Sequence, residues 1–466
     1  MRPSKSLRSV RSSRSSISMR LAPDAPRVTV EFEKLLPTAC GKLNCPYTIV
    51  VQRNQQNDDF YRNLVGKEKR LSQKRIQSAK LPTERLQSEN STSPGSETSS
   101  AIKTSDAKDI VVINSIYDNF NALVEIQIKR LKNVPRIMLK VIGLLAIYYK
   151  NLTKLSIYQS KIDGYTIYEV RKIIESSLIT NICLDGSWLP EGNYPILLDS
   201  KKITTLSLCR CGINDNISKI IASKLYKSEN GELLTVLNLS SNDISDTGVK
   251  YLADSLRTNR CLKYLNLADN QITDEGAISL LNILKEFPLT DEEIISKRQR
   301  HIKFLRKEAL YLQYMNESDN TSSKSAKKKL LGPAAFSVKV QNTKKGQLQD
   351  IKQIGVFHDP FQRENIVVRD GISYCTGNTS LCYINMAYNN VSFMTLKKLK
   401  SVLEYQNAKI KNVLETGLLK IVLEGNNLPL KCAEMSEISE LLRKNLNRFS
   451  QKHVERKRSE RVTLTL

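Results

Sequence analysis

The chain has 466 residues, of which 40% are hydrophobic, and a formal net charge of +25. Its most apolar stretch, Ile137–Tyr149, contains Lys140 and is shorter than the roughly 18–20 residues that span a bilayer, so a transmembrane protein is excluded. Without an apolar leader, no secretory signal is evident, and we expect the nine scattered cysteines to be reduced thiols in a cytoplasmic protein.

The net positive charge is concentrated in four segments. Residues 1–20 carry six basic residues and no acidic ones, and residues 62–80 carry seven basic residues and one acidic residue. Residues 296–350 carry thirteen basic and four acidic residues, and residues 441–466 carry eight basic and two acidic residues. The remainder of the chain is nearly neutral. Any attraction to a polyanionic surface is therefore expected from these segments.

The N-terminal quarter of the chain lacks a regular repeat pattern, and we interpret it as extensions that precede the repeats. Residues 1–27 are rich in Arg, Ser and Pro and are predicted to be disordered, although such acid-poor sequence also resembles a transit peptide. Residues 28–61, including VTVEFEKLL and YTIVVQ, are predicted to be a short strand-like docking segment. Residues 62–108 are predicted to be a basic, polar linker.

Two consecutive copies of one unit begin at Leu234 and Leu262, 28 residues apart. Both follow the pattern L-x-x-L-x-L-x-x-N-x-I, then an Asp, a Gly and an apolar helical stripe. Leucines at these spacings would face a core from a short strand, and Asp246 is expected to cap the following helix. A single unit cannot bury both of its faces, so neighbouring units must stack. The fold class predicted is α/β, a solenoid with a curved parallel sheet inside and helices outside.

Weaker copies extend the array on both sides. Eight frames can be placed, with first residues Leu123, Leu152, Ile179, Ile203, Leu234, Leu262, Leu381 and Leu418. We predict repeats over 109–289, with an atypical cap at 123–150, and two more over 373–440. Between them lie a long basic helix at 290–317, with one apolar face typical of a coiled coil, and a Lys-rich, mostly disordered insertion at 318–372. A basic tail occupies 441–466.

The ninth position of each frame is predicted to be structural, because an amide or thiol there can bond backbone groups in the turn and in the neighbouring repeat. Leu131 and Ser160 occupy that position in the first two frames, and the Cys and Asn residues predicted to act this way are Cys211, Asn242, Asn270, Asn389 and Asn426.

The helical halves Gly248–Leu256 and Gly276–Leu284 are similar to the ribonuclease-inhibitor-like subclass of leucine-rich repeats. The paired repeats, the segment Leu284–Arg300, the Lys-rich insertion, the motif at Val368–Gly371 and the late repeats together resemble the leucine-rich repeat-containing protein 71 family. That resemblance implies a non-enzymatic scaffold of ciliated cells, and it brings no catalytic residues.

Sequence motifs for chemistry are not found. The chain contains no phosphate-binding loop, dinucleotide turn, HExxH or GxSxG motif. Its three histidines, His301, His358 and His453, are expected at the surface, and the pair Cys40 and Cys45 has no second pair to complete a zinc site. We therefore expect no catalytic residue, no cofactor and no metal.

Partner binding is expected on the concave face of the sheet, where strand positions 3, 5 and 7 point away from the core. Small polar residues with interspersed tyrosines suit protein recognition, although they would also simply keep the face soluble. The candidate residues are Tyr158, Asn238, Tyr264, Asn266, Tyr383 and Asn385. Trp188 is expected to pack inside a repeat.

The sequence favours a protein-binding adaptor, and the family resemblance implies the ciliary or flagellar axoneme. One rival is a regulator of a small GTPase, which would need a positioned loop arginine such as Arg210. Another is a nucleic-acid-associated protein, although no RNA-binding aromatic motif or zinc finger supports it. The basic segments suit microtubules or another acidic surface.

Overall fold

The computed structural model describes residues 31–56, 110–226, 233–324, 359–410, 416–429 and 431–463. The predicted disordered N-terminus, 1–27, and the predicted linker, 62–108, lie outside these residues.

In the described part of the chain, one long sheet runs through the molecule in chain order, with the strand Tyr383–Asn385 placed directly after the strand Tyr264–Asn266. Its strands are β1 Thr48–Gln55, β2 Ile110–Tyr117, β3 Leu123–Lys129, β4 Lys154–Tyr158, β5 Asn181–Cys183, β6 Thr205–Ser207, β7 Val236–Asn238, β8 Tyr264–Asn266, β12 Tyr383–Asn385 and β13 Lys420–Val422. Neighbours pair in parallel except β2 and β3, which are antiparallel. A second, small sheet contains β9 Phe287–Pro288, β10 Ile366–Arg369 and β11 Ile372–Cys375.

Helices alternate with these strands. They are α1 Phe32–Lys42, α2 Arg136–Ala146, α3 Gly164–Ser176, α4 Asp215–Tyr226, α5 Asp246–Leu256, α6 Asp274–Asn282, α7 Asp291–Lys324, α8 Phe393–Lys409 and α9 Ala433–Thr463. A 3-10 helix, Tyr194–Asp199, takes the place of the α-helix in the repeat that begins at Ile179. The predicted α/β solenoid is confirmed.

The core follows from the frame of the repeat. Leu234, Leu237 and Leu239 are buried from the strand side, and Val249 and Leu252 are buried from α5. Burying each such side chain contributes roughly 1.5–3 kcal/mol before the entropy of ordering it is subtracted. Because this pattern recurs in each repeat, the core continues along the array.

Every repeat turns in the same way after its strand. The eighth residue of each of the eight frames has a positive φ, between 48° and 74°: Arg130, Gln159, Gly186, Arg210, Ser241, Asp269, Tyr388 and Gly425. Since few side chains adopt this conformation without support, the turn must be held by its surroundings.

In the repeats that have Asn or Cys as the ninth residue, that support comes from its side chain. The amide of Asn242 donates to the carbonyls of Leu208, in the preceding repeat, and Leu239, in its own, both at 2.9 Å. Its Oδ1 accepts the backbone N–H groups of Cys211 and Ile213 at 3.0 Å. The side chain therefore ties two turns together.

Asn270, Asn389 and Asn426 also donate both to a carbonyl in their own turn and to one in the preceding repeat. At Cys211 the thiol donates to Leu184 O, 3.2 Å away. Burial raises the pKa of this thiol, so it stays protonated and able to donate.

The aspartate that begins α4, α5 and α6 contacts the next repeat, which corrects the prediction for Asp246. Helix α5 is capped by Ser245, whose side chain accepts the N–H of Thr247. Asp246 instead accepts the backbone N–H groups of Thr273, at 2.7 Å, and Gly276, at 3.0 Å. A carboxylate at a helix N-terminus is favourable because the backbone N–H groups there have no helical partners.

The same contact recurs along the array. Asp215 accepts from Ser245 and Gly248, and Asp274 accepts from Ser392 and Thr395. A Cβ on Gly276 would lie 2.5 Å from the Asp246 Oδ1, and one on Gly248 would lie 2.4 Å from the Asp215 Oδ1. The glycines are thus explained by the close approach of the preceding aspartate.

We expect Asp246→Ala to lower the free energy of unfolding by about 1–2 kcal/mol, because α6 loses its charged cap. Asp243→Ala is the matched control, since Asp243 is an exposed aspartate three residues away. Chemical denaturation of both variants checks this. Equal midpoints would contradict the assignment of Asp246 as a cap between repeats.

The N-terminal segment 28–61 is not purely strand-like. Residues 32–42 form α1, whereas 48–55 form β1 as the pattern suggested. Phe32, Leu36 and Cys40 recur every four residues and are all buried, so FEKLL, the second part of the predicted strand VTVEFEKLL, forms a helix; residues 28–30 lie outside the described residues. With β1 and β2, α1 covers the first end of the array, and the repeat with β3 and α2 comes after it.

The boundaries after the sixth repeat also need correction. Helix α7 continues to Lys324, and residues 359–372 of the expected disordered insertion are ordered, with Phe361 fully buried. The predicted tail at 441 is in fact the middle of α9, where Asn445 is buried and donates to Leu418 O at 2.9 Å. The last helix is therefore part of the array.

Candidate protein-binding surface

The concave face is the face of the sheet formed by positions 3, 5 and 7 of each frame. The register in which neighbouring strands pair decides which side chains meet on it. Tyr264 of β8 is paired with Tyr383 of β12. Because neighbouring strands are about 4.8 Å apart, rings at equivalent positions can stack. The two rings are 4.2 Å apart at their centroids with an interplanar angle of 6°. This stacked pair is half-buried and faces away from the core.

A small apolar floor lies beside the pair. Ala268, Ala387 and Val422 form a buried cluster separate from the main core, and Tyr383 and Tyr388 pack against it. The Lys420 ammonium lies 5.5 Å from the centroid of the Tyr383 ring. We call Tyr264, Tyr383, Tyr388 and this floor the tyrosine patch.

Tyr388 has a defined position because of Gly425 in the next repeat. A Cβ on Gly425 would lie 2.3 Å from the Tyr388 ring, so the ring rests directly on that glycine. Sequence reasoning missed Tyr388, although its place at the eighth position of the frame was a usable signal.

The three asparagines predicted as partner contacts support the ends of their own strands. Their Oδ1 atoms accept the N–H two residues later, on Ser240 for Asn238, on Ala268 for Asn266 and on Ala387 for Asn385. Asn266 is only 7% exposed and Asn385 is 0% exposed. Little of either side chain is therefore presented to a partner.

Tyr158 is not part of the patch. It ends β4, four strands from β8, which is roughly 19 Å at about 4.8 Å per strand. Burial raises the pKa of its phenol, and the neighbouring Cys183 thiol adds to the effect. At this end of the sheet Glu125 accepts from Ser156 at 2.6 Å and pairs with Lys154 at 3.2 Å. The concave face is thus polar and internally bonded at one end and aromatic at the other.

Comparison with known families agrees with the repeat fold. A family model described as Leucine Rich repeat matches residues 232–253 and 258–281, which hold the two regular repeats. The fold is that of a leucine-rich repeat protein. A search of curated proteins finds no match to the chain. Leucine-rich repeat domains commonly act as scaffolds that bind other proteins.

Trp188 and Arg210 of this leucine-rich repeat array were singled out from the sequence. The expectation for Trp188 is wrong, and the repeat explains the position of Arg210. Trp188 was expected to pack inside a repeat but is 55% exposed, because the third repeat replaces its helix with the short 3-10 turn. Arg210 is exposed and has a positive φ, as do the equivalent residues of the other repeats. Its position on the loop therefore follows from the repeat itself.

The cysteines, possible metal ligands and apolar helices of the repeat protein bear on other kinds of site. The nine cysteines are all free thiols, and burial raises the pKa of Cys40 to about 11. Among the residues that the structure describes, no group of three or more His, Cys, Asp or Glu side chains is arranged to hold a metal ion. None of the described helices combines the length and apolar composition needed to cross a membrane.

Proposed function

We propose that this leucine-rich repeat protein is a non-enzymatic scaffold that binds a protein partner through the tyrosine patch. The observation that carries the proposal is the stacked, half-buried pair Tyr264 and Tyr383 beside a floor of small apolar side chains. Aromatic residues dominate the energetics of protein interfaces, and a stacked pair loses little side-chain entropy when a partner covers it.

The surroundings of the patch suit a protein rather than a small molecule. Lys420 and Glu424, which lie on and just after β13, are exposed at its border, and Asp269 is partly exposed in the neighbouring turn. An apolar centre with a charged rim is the usual anatomy of a protein–protein interface. The patch also lies on a rigid sheet, so a partner would meet a preformed surface.

The resemblance to the leucine-rich repeat-containing protein 71 family supports a narrower proposal, that the partner belongs to the ciliary or flagellar axoneme. The test is affinity capture with the full chain and with a Tyr264→Glu/Tyr383→Glu variant, from ciliated and unciliated cells. A partner captured only from ciliated cells, and only by the unaltered chain, is the expected result. Capture that is equal for the two baits would overturn the proposed site, and capture from both cell types would overturn the proposed location.

A second candidate function rests on charge. Four segments carry nearly all of the excess positive charge, and one of them, 441–466, begins within α9, the last helix of the array. Exposed lysines and arginines attract polyanionic surfaces at low energetic cost. The acidic tails of tubulin are such a surface if the chain acts in the axoneme.

We expect the full chain to bind microtubules with an affinity on the order of micromolar that weakens steeply with salt, because exposed charges are screened beyond about 8–10 Å. Cosedimentation at several salt concentrations, with intact and tail-stripped microtubules, measures this. Deleting 1–20 should weaken binding. Binding that ignores salt and tail removal would contradict it, and tighter binding to duplex DNA would favour a nucleic-acid role.

A further inference from the structure

Helix α7 is fixed to the body through ionic contacts on one of its faces. Glu293 receives hydrogen bonds from Arg257 Nε and Nη2, at 2.7 and 2.8 Å. Two turns later, Arg300 pairs with Asp359, a buried carboxylate in the ordered end of the insertion. Phe304, four residues after Arg300, and Tyr311, seven residues after Phe304, are partly buried on the same face. This face therefore points towards the body.

The apolar face of α7 points the other way. Ile295, Ile302, Leu305 and Leu312 are 52%, 49%, 48% and 56% exposed. With exposed Ala309 they follow spacings of seven, three, four and three, which keep them on one stripe of a helix. We call these five residues the α7 stripe. It is about 26 Å long, at about 1.5 Å per residue.

This orientation is the reverse of the usual one. A surface helix normally turns its apolar stripe to the core and its charged face to water. Here the ionic residues hold the helix and the leucines and isoleucines face solvent. An exposed apolar stripe bordered by charge is typical of an interaction surface.

The spacing and the charge together define the occupant. Alternation of three and four residues is the seam of a coiled coil, so the stripe fits another helix. Residues 294–313 carry six lysines and arginines and one acid, Glu308. A second copy would bring the same positive charge to the seam. Residues 325–358 of the chain itself carry seven lysines and one aspartate, so they are also a poor electrostatic match.

We propose that the α7 stripe is a docking surface for an amphipathic helix of another protein, whose apolar seam is flanked by carboxylates. Arg298 lies within the stripe and would meet one of those carboxylates. The proposal is independent of the tyrosine patch, which lies on the concave face of the sheet.

The probe for the test is a synthetic peptide of four heptads with Ile at a, Leu at d and Glu at e and g. The control peptide has Lys at e and g. Fluorescence anisotropy with the full chain should show binding of the Glu peptide that weakens with salt, and at least about tenfold weaker binding of the Lys peptide. Equal binding of the two peptides, or binding of neither, would overturn the proposal.

Two variants that each replace a leucine with glutamate distinguish an effect at the α7 stripe from a general effect of the added negative charge. Leu305→Glu places a carboxylate in the seam and should weaken binding about tenfold or more, whereas Leu310→Glu should change it less than about twofold. Leu310 is 58% exposed on the same helix but lies off the stripe. Equal losses from the two variants would overturn the proposal.

Two further measurements identify other occupants. Analytical ultracentrifugation that shows a dimer, dissociated by Leu305→Glu, would assign the stripe to a second copy. Flotation with phosphatidylserine vesicles that is lost in Leu305→Glu would assign it to a membrane surface. Either result would overturn the proposal of an acidic partner helix, and a monomer that does not float with vesicles supports it.

Discussion

Replacing Asn270 with leucine is expected to lower the free energy of unfolding by about 1–3 kcal/mol, a large share of the stability of an ordinary domain. The Asn270 amide donates to the carbonyls of Leu239, Leu267 and Ala268 at 3.0–3.2 Å. Its Oδ1 accepts the N–H of Ile244 at 3.1 Å. Leucine fills a similar volume but leaves these backbone groups without a side-chain partner.

The matched control is Gln271→Leu. Gln271 is the next residue and is exposed, so replacing this amide side chain with leucine removes no turn support. Urea denaturation followed by circular dichroism should show a lower midpoint for the Asn270 variant only. Equal midpoints would mean that the amide ladder does not stabilise the array as described.

Changing Tyr264 and Tyr383 together to glutamate is expected to weaken partner binding by at least about 2 kcal/mol, or about 30-fold. The substitution removes the stacked rings and places two carboxylates on adjacent strands, where like charges repel. Isothermal titration calorimetry with a partner identified by affinity capture gives the magnitude.

Two other tyrosines supply the control for that double variant. Tyr165 and Tyr168 are exposed on the outer helix α3, at 62% and 49%. Their double change to glutamate adds the same charge to the same protein and should leave binding within about twofold. An equal loss in both double variants would point to charge, not to the tyrosine patch.

The regular part of the fold was predictable because it repeats. Leu234 and Leu262 begin units of one length, and the leucines that follow each of them can be buried only in a stacked array. The eight frames chosen from that pattern carry the same positive φ at their eighth residue. Short-range pattern was enough because each repeat contacts mainly its neighbours.

Contacts between repeats were harder to predict. The sequence places Asp246 at the start of a helix, but it does not say that the carboxylate reaches the next helix instead of its own. Similarly, the β-branched residues before Phe32 favoured a strand in the sequence, whereas α1 is a helix whose Phe32 and Leu36 are buried in the core.

The candidate surfaces were predictable only in part. The alternation of side chains along a strand indicated that Tyr264 and Tyr383 share a face. It also predicted Asn385 as a partner contact, although that side chain is buried. On α7, periodicity revealed an apolar stripe without revealing its direction. The direction is fixed by Arg300 and its partner Asp359, which lies 59 residues later in the chain.

The central claim, that a protein partner covers the tyrosine patch, is tested most directly by hydroxyl-radical footprinting of the full chain with and without its captured partner. Oxidation of Tyr264, Tyr383 and Tyr388 is expected to fall when the partner is bound, while oxidation of Tyr165 and Tyr168 is expected to stay unchanged. Protection of Tyr165 and Tyr168 with no change at the tyrosine patch would contradict it.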